Sequence, residues 1–186
     1  MTLIDKLFGK ELSTRTWQTL MNSPRGSLPF ALVLACAAVF VLVTYDDLPA
    51  LVAAHFDAAG VPNGFMPRSI YVTLTLFLVV GVPILLVLPL RMATARPAER
   101  LNLPNKAYWL APERRENTVR YLIKQARFFA CCVALFLVYV HWLVVVANTR
   151  HPAQLAAGAL LAGFTVFLVV LAVWVRALLG HFRRAA

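Results

Sequence analysis

Four uncharged apolar runs leave this chain few folds to choose from: Leu28–Tyr45, Ile70–Leu90, Phe128–Ala147 and Leu155–Val175. A helix rising ~1.5 Å per residue needs about 20 residues to cross a hydrocarbon core ~30 Å thick, and each run is close to that length. Backbone N–H and C=O groups cannot be left open in lipid, so each run is expected to be a helix. Composition points the same way. Of the 186 residues, 61% are hydrophobic and 14% charged, against roughly 45–50% and 25% for soluble domains. The expected fold class is an all-α integral membrane protein with four transmembrane helices.

The basic residues set the expected orientation. Of the 18 Lys and Arg, only Arg68 and Arg150 lie outside residues 1–27, 91–127 and 176–186. Positive loops stay in the cytoplasm, so both termini and the 91–127 loop are expected inside, with residues 46–69 and the short turn after Ala147 outside. The net charge of +10 is then accounted for by topology and by anionic inner-leaflet lipid, and nucleic acid is not needed as a partner. Val33-Leu34-Ala35-Cys36 faintly resembles a lipoprotein cleavage box, but the apolar run continues well past Cys36. It therefore reads as a span rather than a removed signal. Cys36, Cys131 and Cys132 all lie in apolar runs and read as small buried hydrophobes.

The chain divides accordingly. Residues 1–27 form an N-terminal segment whose Leu3, Ile4, Leu7, Phe8 and Leu12 recur at helical spacing, which predicts an amphipathic helix on the inner surface. Residues 28–90 form a helix–loop–helix unit with spans about 28–45 and 70–90. In the second span Gly81 and Pro83 predict a bend, since Pro83 removes one backbone hydrogen bond. Residues 91–127 form a basic loop ending in an amphipathic helix over 113–127, with Pro112 suited to its first turn and Glu113 and Glu116 to the positive end of its dipole. That helix is expected to lie at the interface and run into the third span. Residues 128–180 hold the second hairpin, with spans about 128–147 and 155–175, and 181–186 form a tail. Gly158 with Ala162, and Ala159 with Gly163, are spaced for close helix contact within or between chains.

The candidate functional residues fall into three groups. In the outer loop, His55 and Asp57 would share one face of an extended segment. With His151 in the other outer turn they could converge on a divalent metal, or His55 could cross-link an ordered loop in which Gly60 supplies a tight turn. In the third span, His141 is an ionisable residue within lipid, bonded in the plainest reading to Thr73, Thr75 or a backbone carbonyl. Asn148 lies on the same helix face about 10 Å farther out. In the inner loop, Asn105, Lys106, Tyr108, Trp109, Arg114 and Arg115 form a polar and aromatic cluster. It suits either headgroup contact or a cytoplasmic partner, while Arg176 is expected to snorkel to phosphate. No phosphate loop, dinucleotide fingerprint, HExxH or GxSxG occurs, and no cofactor is implied.

Leu48-Pro49, His55-Phe56-Asp57, Gly60, Pro62 and the basic Arg68 resemble the uncharacterised domain in the N-terminal half of SdpI-type bacterial membrane proteins. That domain has the approximate pattern LP…(I/V)PxHF(N/D)xxGxPxxxxxK. Ala53 stands where the pattern has proline, and Arg68 where it closes on lysine. The second half, with Asn105-Lys106, Tyr108-Trp109 and Arg114-Arg115, looks like a shorter proteobacterial branch. The resemblance implies a bacterial inner membrane location and marks His55, Phe56, Asp57, Gly60 and Pro62. It also implies a role like that of the namesake, a toxin-immunity and signalling protein that sequesters a repressor at the membrane.

The leading expectation is a non-enzymatic binding or sensing module, immunity-like, that recognises an envelope peptide or toxin through the outer loop. It would meet lipid or a cytoplasmic protein through the inner one, as a single chain or a homo-oligomer. A small transporter with a midplane His141 site, and a metal-dependent membrane enzyme built on His55, Asp57 and His151, are the alternatives.

Overall fold

The computed structural model describes residues 24–94 and 103–183; the amphipathic helix expected over residues 3–12 lies outside them. The chain is mostly helical. Helix α1 runs over Pro24–Val43, and a hairpin follows, with strands β1 (Leu51–Phe56) and β2 (Pro62–Pro67). The second apolar run is helical from Arg68 to Thr94, in three pieces: α2 (Arg68–Leu76), a π-helical turn (Phe77–Gly81) and α3 (Val82–Thr94). A short α4 (Lys106–Trp109) precedes α5 (Pro112–Asn148) and α6 (Ala157–Arg183).

Among the described residues three helices are long and apolar enough to cross a membrane: Arg68–Leu90, Pro112–Asn148 and Ala157–Arg183. The first run is apolar and helical over Ser27–Val43, and the chain leaves the helix at Thr44 to turn into the hairpin. Three of the four expected spans are thus long apolar helices, and the first run supplies a fourth, shorter one. The all-α expectation is corrected. The stretch read as an ordered loop is a two-stranded antiparallel sheet pairing Val52 with Met66 and Ala53 with Phe65.

The bend expected at Pro83 takes the form of the π turn. The N–H of Val82 reaches back to the Phe77 carbonyl, so the bond register has already slipped by one when the chain meets a residue with no N–H to offer. Pro83 itself is fully buried. Helix α5 starts with Pro112 in its first turn and Glu113 beside it, as expected from the dipole. It then continues without a break for 37 residues, or roughly 55 Å. Near its start Val119, Leu122 and Ile123 are buried.

The core lies at the hairpin end of the bundle. Ala37 and Val41 of α1, Val52 of β1, Tyr71 and Val72 of α2, Val79 of the π turn and Val144 and Val145 of α5 form one cluster. Ala54, Phe56 and Met66 of the hairpin pack against it. Helix α6 is peripheral, and its most apolar stretch has no residue buried within the protein. It touches α5 at points along its length: the Tyr139 hydroxyl donates to the Ala159 carbonyl at 2.6 Å, Phe136 stacks on Phe167, and Trp174 stacks on Phe129 and donates to the Gln125 side chain at 2.8 Å. A Cβ on Gly163 would overlap the Tyr139 ring. The Ala159–Gly163 pair thus serves packing within the chain, whereas Gly158 faces open space. Cys36 is exposed on α1 rather than buried, and Cys131 and Cys132 are half-buried. In lipid an exposed thiol on an apolar helix carries no penalty of the kind it would meet in water.

Candidate functional site

The hairpin is fastened to the helices at three points. At its base, Arg68 lies 4.5 Å from the centroid of the Tyr45 ring, donates to the Tyr45 carbonyl at 3.3 Å, and stands 3.5 Å from the Asp46 carboxylate. Along β1, Asn148 behaves as a third strand one residue long. Its Oδ1 accepts the Ala53 N–H at 2.9 Å. Its Nδ2 donates to the Ala53 carbonyl at 3.0 Å and to the Val144 carbonyl at 2.9 Å. Ala53 is 1% exposed and Asn148 is 7% exposed, so neither peptide group has water as a substitute. At the tip, the Leu155 N–H donates to the Gly60 carbonyl at 2.9 Å.

The tip is organised by Asp57. Its Oδ1 accepts the N–H groups of Ala59 at 2.9 Å and Val61 at 2.8 Å, an Asx turn that fixes the loop without a larger side-chain network. Gly60 then takes φ +82° with its Cα against the Leu155 carbonyl. Both conditions require glycine. Pro62 opens β2, and Phe56 packs towards the core.

His55 differs from these neighbours. The register is irregular on both sides of it, between Ala53 and His55 and between His55 and Phe56. Its ring lies over Gly64, where any Cβ would crowd the His55 ring. It is exposed, and among the described residues no hydrogen bond reaches the imidazole. Leu51, Asn63 and Phe65 are exposed around it on the hairpin.

The expected face shared by His55 and Asp57 does not form. Strand β1 ends at Phe56, and the Asp57 side chain turns back onto its own loop amides. His151 is exposed, its Nδ1 2.7 Å from the Arg150 carbonyl. Among the described residues no three His, Cys, Asp or Glu side chains are placed to hold a metal.

His141 is 2% exposed and joins three helices. Its Nε2 is 2.8 Å from the Thr44 hydroxyl and its Nδ1 is 2.9 Å from the Tyr71 hydroxyl. Phe40 meets the ring edge-on at 5.9 Å. The partners are therefore Thr44 and Tyr71, not Thr73, which is exposed, nor Thr75, whose hydroxyl donates to the Tyr71 carbonyl at 2.8 Å. With both ring nitrogens engaged, His141 serves as a cross-brace beneath the hairpin, and Asn148 continues the same buried face of α5.

At the far end of α5, Trp109 donates through Nε1 to the Phe182 carbonyl at 3.1 Å. The Asn105 Nδ2 reaches the same oxygen at 3.5 Å. The His181 ring stacks against Trp109 at 4.9 Å and against Tyr121 at 4.0 Å. Arg114 covers the Tyr108 ring at 3.9 Å from its centroid. Lys106 opens α4, and Arg115 lies in the first turns of α5. Sequence reasoning did not anticipate the roles of Thr44, Tyr71, Leu155 or His181. Nothing in a single chain pairs a threonine at the end of one helix with a histidine 97 positions on.

No curated protein and no solved structure matches the chain. Residues 32–81, which span the core of α1, the hairpin, α2 and the π turn, match the family model described as a domain of unknown function, DUF1648, the kind of N-terminal domain found in SdpI-like proteins.

Proposed function

We propose that this is a non-enzymatic binding or sensing module of the bacterial inner membrane, whose hairpin presents His55 and Phe65 to an envelope peptide or toxin in an immunity-like role. One observation carries the reading. In the motif-bearing hairpin, Phe56 anchors to the core, Asp57 caps the loop, Gly60 docks on Leu155 and Arg68 clamps the base. His55 alone is left with an exposed, unbonded ring. A donor and acceptor held on the same rigid hairpin as the exposed Phe65 side chain suits recognition, because little loop entropy is lost on binding. The chemistry of the partner follows from the platform: an extended segment offering a carbonyl or carboxylate to His55 and an apolar side chain to Phe65.

The test is a photo-reactive phenylalanine analogue in place of Phe65 in cells. It is expected to yield a discrete adduct that falls about tenfold, equivalent to ~1.4 kcal/mol, in a His55→Ala background of equal abundance. An adduct indifferent to His55, or its absence from the hairpin while the same analogue at Tyr108 gives one, would overturn the reading.

The orientation belongs to the same proposal. The charge distribution puts the hairpin and the 149–156 turn outside and both termini with the 105–116 region inside. In a variant lacking Cys36, Cys131 and Cys132, a cysteine at Ala58 is expected to react with an impermeant maleimide added to intact spheroplasts. One at Lys106 is expected to react only after permeabilisation. Labelling of the Lys106 position from outside would reverse the topology.

A further inference from the structure

At the end of the molecule remote from the hairpin, a cleft of about 1400 Å³ opens between the flank of α6 and the aromatic residues of α4 and α5. Its two ends differ in chemistry. Toward the middle of α6 it is walled by Leu168, Leu171 and Val175. Toward the end of the helix it is walled by Arg176 and Arg183 on one side and by Tyr108 and Tyr121 on the other. Among the described residues neither guanidinium has an ion pair, and neither tyrosine hydroxyl has a hydrogen bond. The roof does not depend on those groups, because Trp109, His181 and Phe182 hold it by stacking and by the Trp109 bond to the Phe182 carbonyl.

We propose that this cleft binds one anionic glycerophospholipid, its phosphate between Arg176 and Arg183 and its acyl chain along the Leu168–Val175 stripe. Arg176 and Arg183 are seven residues apart, two helical turns, and so lie on one face about 10 Å apart along the axis. From Leu168 to Arg183 the helix rises about 22 Å, roughly the depth of one leaflet with its headgroup region. Arg176 sits two turns deeper than Arg183. A guanidinium at that depth is costly unless a phosphate meets it, and a planar five-donor group is the side chain best shaped to hold phosphate oxygens. The exposed apolar flank of α6 makes lipid the neighbour for the stripe, and the unpaired positive charge selects the anionic kind. The proposal is independent of the hairpin reading.

The test uses the full chain purified in a neutral detergent. Dioleoyl phosphatidylglycerol is expected to raise the thermal midpoint in a saturable way, while dioleoyl phosphatidylcholine and glycerol 3-phosphate at the same concentrations do not. The Arg176→Gln, Arg183→Gln double variant is expected to need at least tenfold more phosphatidylglycerol for the same shift. Arg176→Lys with Arg183→Lys is expected to recover part of the response, and Arg120→Gln, at a residue paired with Glu116 that does not line the cleft, to respond as the parent does. Should the double glutamine variant fail to fold, the lysine pair decides the matter by an intermediate lipid requirement. Equal stabilisation by the two lipids overturns the proposal, as does an unchanged response in the variants. A lipid-insensitive dimer in detergent that Leu171→Gln dissociates also overturns it, in favour of a second copy of the chain on α6.

Discussion

Asn148→Leu is expected to lower the thermal midpoint of the detergent-solubilised protein by roughly 5–15 °C and to release the hairpin before the helices unfold. Leucine has the same branched side chain of four heavy atoms as asparagine, with bulkier ends, so packing contacts are kept rather than deleted. What is lost is the pairing of two buried peptide groups, the N–H and C=O of Ala53. Ala53 is 1% exposed, so each group left without a partner costs about 1–3 kcal/mol. The Val144 carbonyl, also bonded by Asn148, keeps its helical partner and adds little. The diagnostic is local. The Ala53 amide should exchange with solvent at least tenfold faster in Asn148→Leu, while amides in the middle of α5 hold. Asn148→Asp separates the two halves of the clamp, since a carboxylate still accepts from the Ala53 N–H but offers nothing to its carbonyl. It should therefore protect the amide better than leucine does. An Ala53 amide equally slow in the parent and in Asn148→Leu would show that the hairpin is held without this clamp.

That clamp also marks where the sequence was legible and where it was not. Hydrophobic periodicity and run length located α2–α3, α5 and α6 well, because lipid imposes helix wherever a long apolar run must hide its own backbone. Pro112 and Glu113 marked the start of α5, and Pro83 with Gly81 marked an irregularity in the second span, because these residues act through their own backbone. The hairpin was harder. Residues 51–56, LVAAHF, and 62–67, PNGFMP, show neither clean alternation nor a two-residue turn signal. The strands are specified instead by what they dock on: Asn148, Leu155 and the Val41–Tyr71–Val144 cluster. Such partners are tens of residues away, and one sequence does not say which polar side chain meets which amide. His141 and Asn148 were visible as polar residues in an apolar helix; their partners were not. For the same reason the shared face expected of His55 and Asp57 was lost. An Asx turn and two register irregularities override the simple two-residue period of a strand.

The same dependence on a distant partner makes Gly60 the most demanding position in the hairpin. Gly60→Ala is expected to undock the tip from the 149–156 turn and to destabilise the protein by about 2–4 kcal/mol, more than any other single methyl added to a described glycine. Two costs act together. At φ +82° an L-residue is strained, by roughly 1–2 kcal/mol. The new Cβ would also overlap the Leu155 carbonyl oxygen, a backbone atom that cannot rotate away. The tip must then move, which breaks the 2.9 Å bond from the Leu155 N–H to the Gly60 carbonyl and carries the Asp57 loop with it. Gly64→Ala should be milder, since its backbone is not left-handed and its crowding is with the Cβ and ring of His55: the ring can swing at the expense of its own orientation, and the strands need part by only a few tenths of an ångström to clear the Cβ. Gly158→Ala, with open space around it, is expected to be silent or slightly stabilising. Amide exchange at Leu155 and the thermal midpoint read both outcomes. If Gly60→Ala matched Gly158→Ala in both measurements, the tip would not be docked on Leu155. The functional consequence follows from the geometry. A hairpin freed at its tip still has a histidine at position 55 but no longer a fixed place for its ring. Gly60→Ala should therefore weaken the Phe65 adduct nearly as much as His55→Ala, and Gly64→Ala should weaken it with little loss of stability.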